Sequence, residues 1–293
     1  SLVAGGDHGL PVALVAADRA RGYRDGASST RIAVLPATLT GPLRLLTLAG
    51  SYGVDAVGPD GHYLYLIEHL AGEHYQVRAY DLRTARLDPQ VVVDKREPNE
   101  RMQGLPLARA ASSTGNWVFT LYRRPSGVPF VHALMASSLF AFCIDLPARA
   151  RVGAADASSW GIASRGSKLF VANAATGFVA VVDLASFAVQ QTASLGVQAL
   201  TTPVTRPLAA SSDGTRLYLA RPQGLVALDG STLAPAAPLT SDAFGSLALG
   251  ARGAVLYATG GGATRTLDLR TGSLEGTPWA TGKGTLVGVV NGL

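Results

Sequence analysis

The 293-residue chain has one cysteine, Cys143, and three lysines, Lys95, Lys168 and Lys283. A single thiol excludes an internal disulfide and any metal site assembled from several cysteines. Charged residues make up 15% of the chain against 47% apolar, a balance that excludes a disordered polypeptide and calls for a packed interior. No stretch approaches the roughly 20 apolar residues of a membrane span. No signal-peptide pattern is present, and a start at Ser1 without methionine reads as a trimmed product, with room for an export signal or anchor outside it. Long amphipathic helices with caps are also missing. The net charge of +5 is carried almost entirely by arginine. No Lys/Arg run interleaved with aromatics accompanies it, so nucleic acid is not an expected partner.

What the chain does have is glycine and proline, 34 and 16 residues spread throughout, as frequent tight turns require. Those turns belong to a recurring unit. The segments "DAVGPDGHYLYLIEH" (55–69), "RAASSTGNWVFTLYR" (109–123), "GIASRGSKLFVAN" (161–173), "LAASSDGTRLYLAR" (208–221) and "LALGARGAVLYATG" (247–260) share one plan. Each is a strand of small residues, a tight turn containing glycine, then an alternating strand of aromatic and branched residues. A second hairpin follows in "VRAYDLRTARL" (77–87), "FVAVVDLASFAV" (178–189), "LVALDGSTLAP" (225–235) and "TRTLDLRTGSL" (264–274); "RIAVLPATLTG" (31–41) fits the same mould. Asp81, Asp183, Asp229 and Asp268 sit where a strand runs into its turn, with Pro36 and Met135 at the matching positions. Their carboxylates are expected to accept the backbone N–H groups two residues on, a turn-capping role and not a catalytic one.

Four strands per unit of about 40–50 residues predict an all-β chain, a six-bladed β-propeller with four antiparallel strands per blade and seven blades as the alternative. The expected single domain, 1–293, divides into blades at about 1–50 plus 284–293, 51–96, 97–147, 148–196, 197–242 and 243–283. In the preferred closure, "GTLVGVVNGL" (284–293) supplies an inner strand to the N-terminal blade, pairing otherwise bare edges. In the other, "SLVAGG" (1–6) is that strand.

With the repeat in view, the chain resembles bacterial YVTN-type β-propellers, whose unit runs S-P-D-G-x-x-L-Y-V and then V-x-V-I-D; the match covers nearly everything after about residue 30. A narrower resemblance, to uncharacterised exported or membrane-anchored bacterial propellers, rests on "YQVRAYDL" (75–82), "VDKREPNERMQGLP" (93–106), "WVFTLY" (117–122), "PFVHAL" (129–134) and "CIDLP" (143–147). Met135 departs from that group's pattern, which has an aspartate after "FVHAL". The resemblance implies an extracytoplasmic location, secreted or anchored to the envelope, and little chemistry.

Candidate reactive residues read mainly as structure. His132 and Cys143 fall on the third and fourth strands of one hairpin, and Phe140, Phe142 and Ile144 around the thiol predict a packed, inert cysteine. Glu68, His69, Glu73 and His74 in "EHLAGEH" offer metal-ligand chemistry at a spacing no established site uses, so a polar loop and no bound metal are expected. "AGSYG" (49–53) lacks the helix of a nucleophile elbow, "GTPWATGKGT" (276–285) has the wrong glycine spacing for a phosphate loop, and "TGGGAT" (259–264) joins two strands. No catalytic residue and no cofactor are assigned.

The loops give the stronger clue. Connections on one rim are short, whereas those on the other, 19–29, 68–76, 94–106 and 123–129, are long and irregular, the type that carries binding. They gather Arg21, Arg24, Arg96, Arg101, Arg123 and Arg124, while Arg109, Trp160 and Arg206 stand at or just before inner strands. Guanidinium groups beside an aromatic suit carboxylate, phosphate or sulfated ligands. Alternatively these arginines pair with Asp94, Glu97 and Glu100. The ligand-binding set is therefore Arg109, Trp160, Arg206, Arg123, Arg124 and Arg101. The expected function is a non-catalytic module for a partner protein or an anionic ligand such as a cell-surface glycan. The alternative is a lyase or lactonase of propeller type, which needs a convergent His/Glu cluster.

Overall fold

The computed structural model describes residues 2–4, 12–15, 28–36, 41–94, 96, 101–200, 204–250, 253–271 and 273–280. Over them the chain is all-β, arranged as six four-stranded sheets. The first is β1 (Leu2–Ala4), β2 (Val12–Val15), β3 (Ser29–Leu35) and β4 (Arg44–Ala49). The second is β5 (Ser51–Val57), β6 (Tyr63–His69), β7 (Tyr75–Asp81) and β8 (Arg86–Val92). The third is β9 (Leu105–Ala111), β10 (Trp117–Arg123), β11 (Pro129–Met135) and β12 (Phe140–Asp145). The fourth is β13 (Trp160–Arg165), β14 (Lys168–Asn173), β15 (Phe178–Asp183) and β16 (Ala188–Ser194). The fifth is β17 (Leu208–Ala210), β18 (Arg216–Arg221), β19 (Gly224–Asp229) and β20 (Pro235–Thr240). The sixth is β21 (Ser246–Leu249), β22 (Val255–Gly260), β23 (Ala263–Asp268) and β24 (Leu274–Ala280).

Each sheet is a meander in which sequence neighbours pair, as the short Gly-containing turns dictate. Among the described residues no helix is long and apolar enough to cross a membrane. By contacts the chain forms two compact units, one of residues 1–106, 111–126 and 130–143, the other of 107–110, 127–129 and 144–293.

At its N-terminus the chain follows the second of the two expected closures, in which residues 1–6 supply a strand. In the first sheet β1 pairs antiparallel with β2, Leu2 opposite Leu14 and Ala4 opposite Val12. The N-terminal segment therefore holds the place beside β2 that the preferred closure gave to 284–293, which lie outside the described residues. A strand fifteen residues or fewer away along the chain closes a shorter loop than one near the other end, and so loses less entropy.

The turn aspartates do what their position predicts. Asp81 accepts from the backbone N–H groups of Arg83 and Thr84, Asp183 from Ala185 and Ser186, Asp229 from Ser231 and Thr232, and Asp268 from Arg270 and Thr271. For Asp81, desolvation is the largest single effect and raises the pKa, but these bonds and those from the Thr84 and His62 side chains together outweigh it and hold the pKa down at about 2. Four residues after the capping position, Ala85, Leu139, Phe187 and Leu233 all adopt positive φ, between 52° and 57°. A left-handed residue costs an L-amino acid about 1–2 kcal/mol, and none of these four is glycine. Ala85 is exposed, so Ala85→Gly is expected to stabilise by about 0.5–1 kcal/mol once the extra freedom of glycine in the unfolded chain is subtracted. A urea unfolding midpoint checks this.

The apolar faces meet between sheets. Val54, Leu64, Leu66 and Tyr80 pack with Ile32, Val34 and Leu46, whereas Tyr65, Ile67, Val77 and Ala79 pack with Val118, Tyr122, Phe130 and Leu134. Alternation along each strand thus sends successive residues to opposite neighbours. In the second unit Phe170, Val179 and Val181 pack with Leu208, Leu217 and Leu219 by the same rule.

Candidate functional site

Two long connections meet at a recess, one of them docked on a third. After β6, the chain turns through 70–74 with Glu73 at φ 60°. The segment before β9 docks on this loop by short antiparallel pairing: His74 bridges Gln103, the Tyr75 amide donates to Met102 O (3.1 Å), and the Gly104 amide donates to Glu73 O (2.9 Å). Gln103 adds a side-chain bond from Nε2 to Gly72 O at 2.8 Å. Gly104 lets the segment approach this closely; at φ 152°, a Cβ there would stand 3.0 Å from the Arg123 carbonyl oxygen.

The recess so formed has a volume of about 170 Å³ and is lined by Arg101, Met102, Gln103, Arg124 and Phe130. Its wall is the end of a stack that runs into the core. Tyr75 and Tyr122 lie face to face with centroids 4.3 Å apart, Phe130 follows at 5.4 Å from Tyr122, and the Arg124 guanidinium covers Phe130 at 4.1 Å. Each aromatic contact is worth about 0.5–1.5 kcal/mol beyond burial, and the cation–π contact is of similar size. Arg124 is thereby held in one orientation before any ligand arrives. Two of the six predicted binding residues, Arg101 and Arg124, share this site.

The others stand elsewhere. Arg123 ends β10 half-buried, its Nε without a hydrogen-bond partner among the described residues. Arg109 lies half-buried within β9. Arg206 is exposed and its backbone bridges to Ser246 in parallel, its carbonyl accepting from the Leu247 amide at 2.9 Å. Trp160 is a correction: at 1% exposure its ring packs edge-on against Phe178, 5.9 Å between centroids, and is not offered to a ligand. Arg96 follows the pairing alternative, bonding Asp94 at 3.0 Å and lying over Phe142 at 5.0 Å. Arg21, Arg24, Glu97 and Glu100 fall outside the described residues.

The acid–histidine loop is also engaged. Glu68 pairs with Arg78 at 3.1 Å and accepts from the Tyr52 hydroxyl at 3.0 Å. His69 belongs to β6, opposite Tyr75. Cys143 is half-buried against the core cluster of Phe130, Leu134 and Ala141, less enclosed than its flanking residues suggest.

One polar group escaped the sequence reading. Asp55 bulges out of β5 between Val54 and Ala56, fully buried, and accepts from Thr120 Oγ1 at 2.8 Å. His132, also fully buried, meets Tyr122 edge-on at 6.3 Å, and neither ring nitrogen has a hydrogen-bond partner among the described residues. Burial pushes its pKa down, against the pull of Asp55 and Asp94. A neutral imidazole closed off from solvent cannot meet a substrate. The signal was present, because Asp55 opens its repeat where Leu208 and Leu247 open theirs.

No family model matches the sequence, and no curated protein does. Solved structures share the fold. The chain is similar to the β-propeller domain of Cps50 (Swd1) from Myceliophteria thermophila, at 12% identity over 94% of this chain and 87% of that one, with a TM-score of 0.55. It is also similar to a protein of unknown function from Desulfotomaculum acetoxidans, at 15% identity over 94% and 86% of the two chains, with a TM-score of 0.50. The fold is of the β-propeller type; at such identities the likeness speaks of fold alone.

Proposed function

We propose that the chain is a six-bladed propeller of the bacterial YVTN kind, acting outside the cytoplasm as a non-catalytic module that binds a partner protein or acidic ligand through its long-loop rim. The observation that carries the reading is the recess, where two connections bring Arg101 and Arg124 into one lining, Arg124 over Phe130. Rigid sheets presenting irregular loops are a common binding arrangement, and stacked arginine suits an oxyanion partner. A lyase or lactonase would need an imidazole and a carboxylate facing solvent together. Here His132 is enclosed, and His62 is tied to Asp81 at 2.9 Å.

The test is retention of the chain on carboxylated and sulfated matrices and on cell-surface extracts across a salt gradient. Retention is expected to fall as salt rises and to drop about tenfold in Arg101→Ala/Arg124→Ala, one lost charge-assisted contact being worth roughly that factor. Unchanged retention in that variant and in Arg109→Ala/Arg123→Ala/Arg206→Ala would remove the rim from consideration.

A further inference from the structure

We infer that the Arg101–Arg124 recess receives one carboxylate side chain from the surface of a partner protein; this rests on the binding role proposed above. Size is the first argument. About 170 Å³ is close to the roughly 150 Å³ that holds a benzene-sized group, so the site takes one side chain and not a length of sugar chain.

Charge is the second. Among the described residues Arg101, which is exposed, has no ion pair and no carboxylate lines the recess; Glu73, on the neighbouring loop, is not part of the lining. Arg124 stacks through its face on Phe130, and a guanidinium held that way keeps its N–H groups in the plane of the fork, where a planar carboxylate is matched. Gln103 spends one amide N–H on Gly72 O and has a second to donate.

The remaining lining separates a protein side chain from a sulfated sugar. Met102 and Phe130 are almost fully buried and apolar, at 6% and 3% exposure. Little apolar surface is therefore open to the recess: what it offers an occupant is the guanidinium groups and the Gln103 amide, which suit a single carboxylate and give a sugar ring no face to rest on. Because the stack and the backbone pairing fix these groups in advance, little ordering is left to do on binding.

The test is an amide chemical-shift titration of the full chain at low ionic strength with acetyl-Gly-Glu-Gly-amide, its Gln counterpart and a sulfated disaccharide. The Glu peptide is expected to shift residues 101–104 and 124–130 with millimolar affinity, and the Gln peptide is expected to shift none of them. Arg101→Gln, at an exposed position that the fold tolerates, should weaken the Glu peptide at least tenfold; Arg124→Lys, which keeps charge but loses the planar fork, should weaken it less. Equal response to the Gln peptide, or no response at the recess, overturns the inference. So does a tighter fit of the disaccharide there, which would make the ligand a glycan. Shifts around Arg109 or Arg206 with a silent recess would sink this inference and leave the binding role standing. Loss of matrix retention as well would sink both.

Discussion

Arg221→Met is expected to lower stability by about 1–3 kcal/mol, read as a drop in the urea midpoint. Arg221 ends β18 at 3% exposure, and burial holds its pKa below the ordinary arginine value. Among the described residues no carboxylate is bonded to it. Its charge is met by three carbonyl oxygens: Nε donates to Ala174 O at 3.2 Å, Nη1 to Leu195 O at 2.8 Å, and Nη2 to Gly196 O. Those carbonyls belong to the turn after β14 and to the chain leaving β16, so one side chain ties the β14–β15 turn to the exit of the fourth sheet. Methionine keeps most of the stem's volume while removing the donors. The buried Ala174 carbonyl left without a donor costs about 1–3 kcal/mol, whereas Leu195 O and Gly196 O lie nearer solvent and can turn to water; the loss is partly offset because a buried cation no longer has to be desolvated. The site has no slack to re-form around a substitute. A Cβ on Gly177 would run into Gly196 O and stand 3.0 Å from Arg221 Nη2. Arg221→Lys, with a point charge in place of a fork, should recover only part of the loss. A midpoint change worth under about 0.5 kcal/mol would mean that the carbonyls find water or other donors.

Arg221 also marks where sequence reading stops. The repeat was legible because its information is local: glycine in the tight turns, aspartate at the strand ends and period-two alternation each act within a few residues. Hence the β11–β12 hairpin around "MASS" and the capping by Asp81, Asp183, Asp229 and Asp268 could be read directly. Arg221 lies in "LYLAR", where an arginine at a strand end looks like a solvated charge. Its partners are 25 to 47 residues away, and only the packing of the sheet turns it inward. Trp160 departs in the same direction, since a tryptophan at the start of a strand is as easily interior as exposed. Of the candidate site, the loops and two arginines were legible, because length and charge are written in sequence. The stack of Tyr75, Tyr122 and Phe130 that fixes Arg124 was not, since its members come from three strands.

Asp94→Ala is expected to cost about 2–3 kcal/mol and to weaken the acidic peptide at the recess, although Asp94 lies outside it. Past β8 the chain crosses to the outer strand of the third sheet, where Asp94 bridges Ala141 in parallel and the Ala141 amide donates to Val93 O. The Asp94 carboxylate, 4% exposed, accepts from the Cys143 amide at 2.6 Å, the Arg96 amide at 2.7 Å and the Arg96 guanidinium at 3.0 Å. Arg96 in turn donates to Cys143 O at 2.5 Å. Charge-assisted bonds of this type are worth about 1.5–3 kcal/mol together with the donors they leave unmet. The latch anchors one end of the connection whose other end, 101–104, builds the recess wall, so its release frees that wall to move. Acid supplies an independent check. Burial raises the Asp94 pKa, but the bonds from Arg96 and Cys143 more than reverse this and hold it below the ordinary value of 3.8. A carboxyl whose pKa is depressed in the folded state stabilises fully above its unfolded pKa, near 3.9, and loses that contribution as pH falls through the folded value. The wild-type chain should therefore lose stability below about pH 4 more steeply than Asp94→Asn, the two curves converging toward the acid end. Parallel curves from pH 7 to pH 2 would show that the carboxylate's charge contributes nothing to the latch.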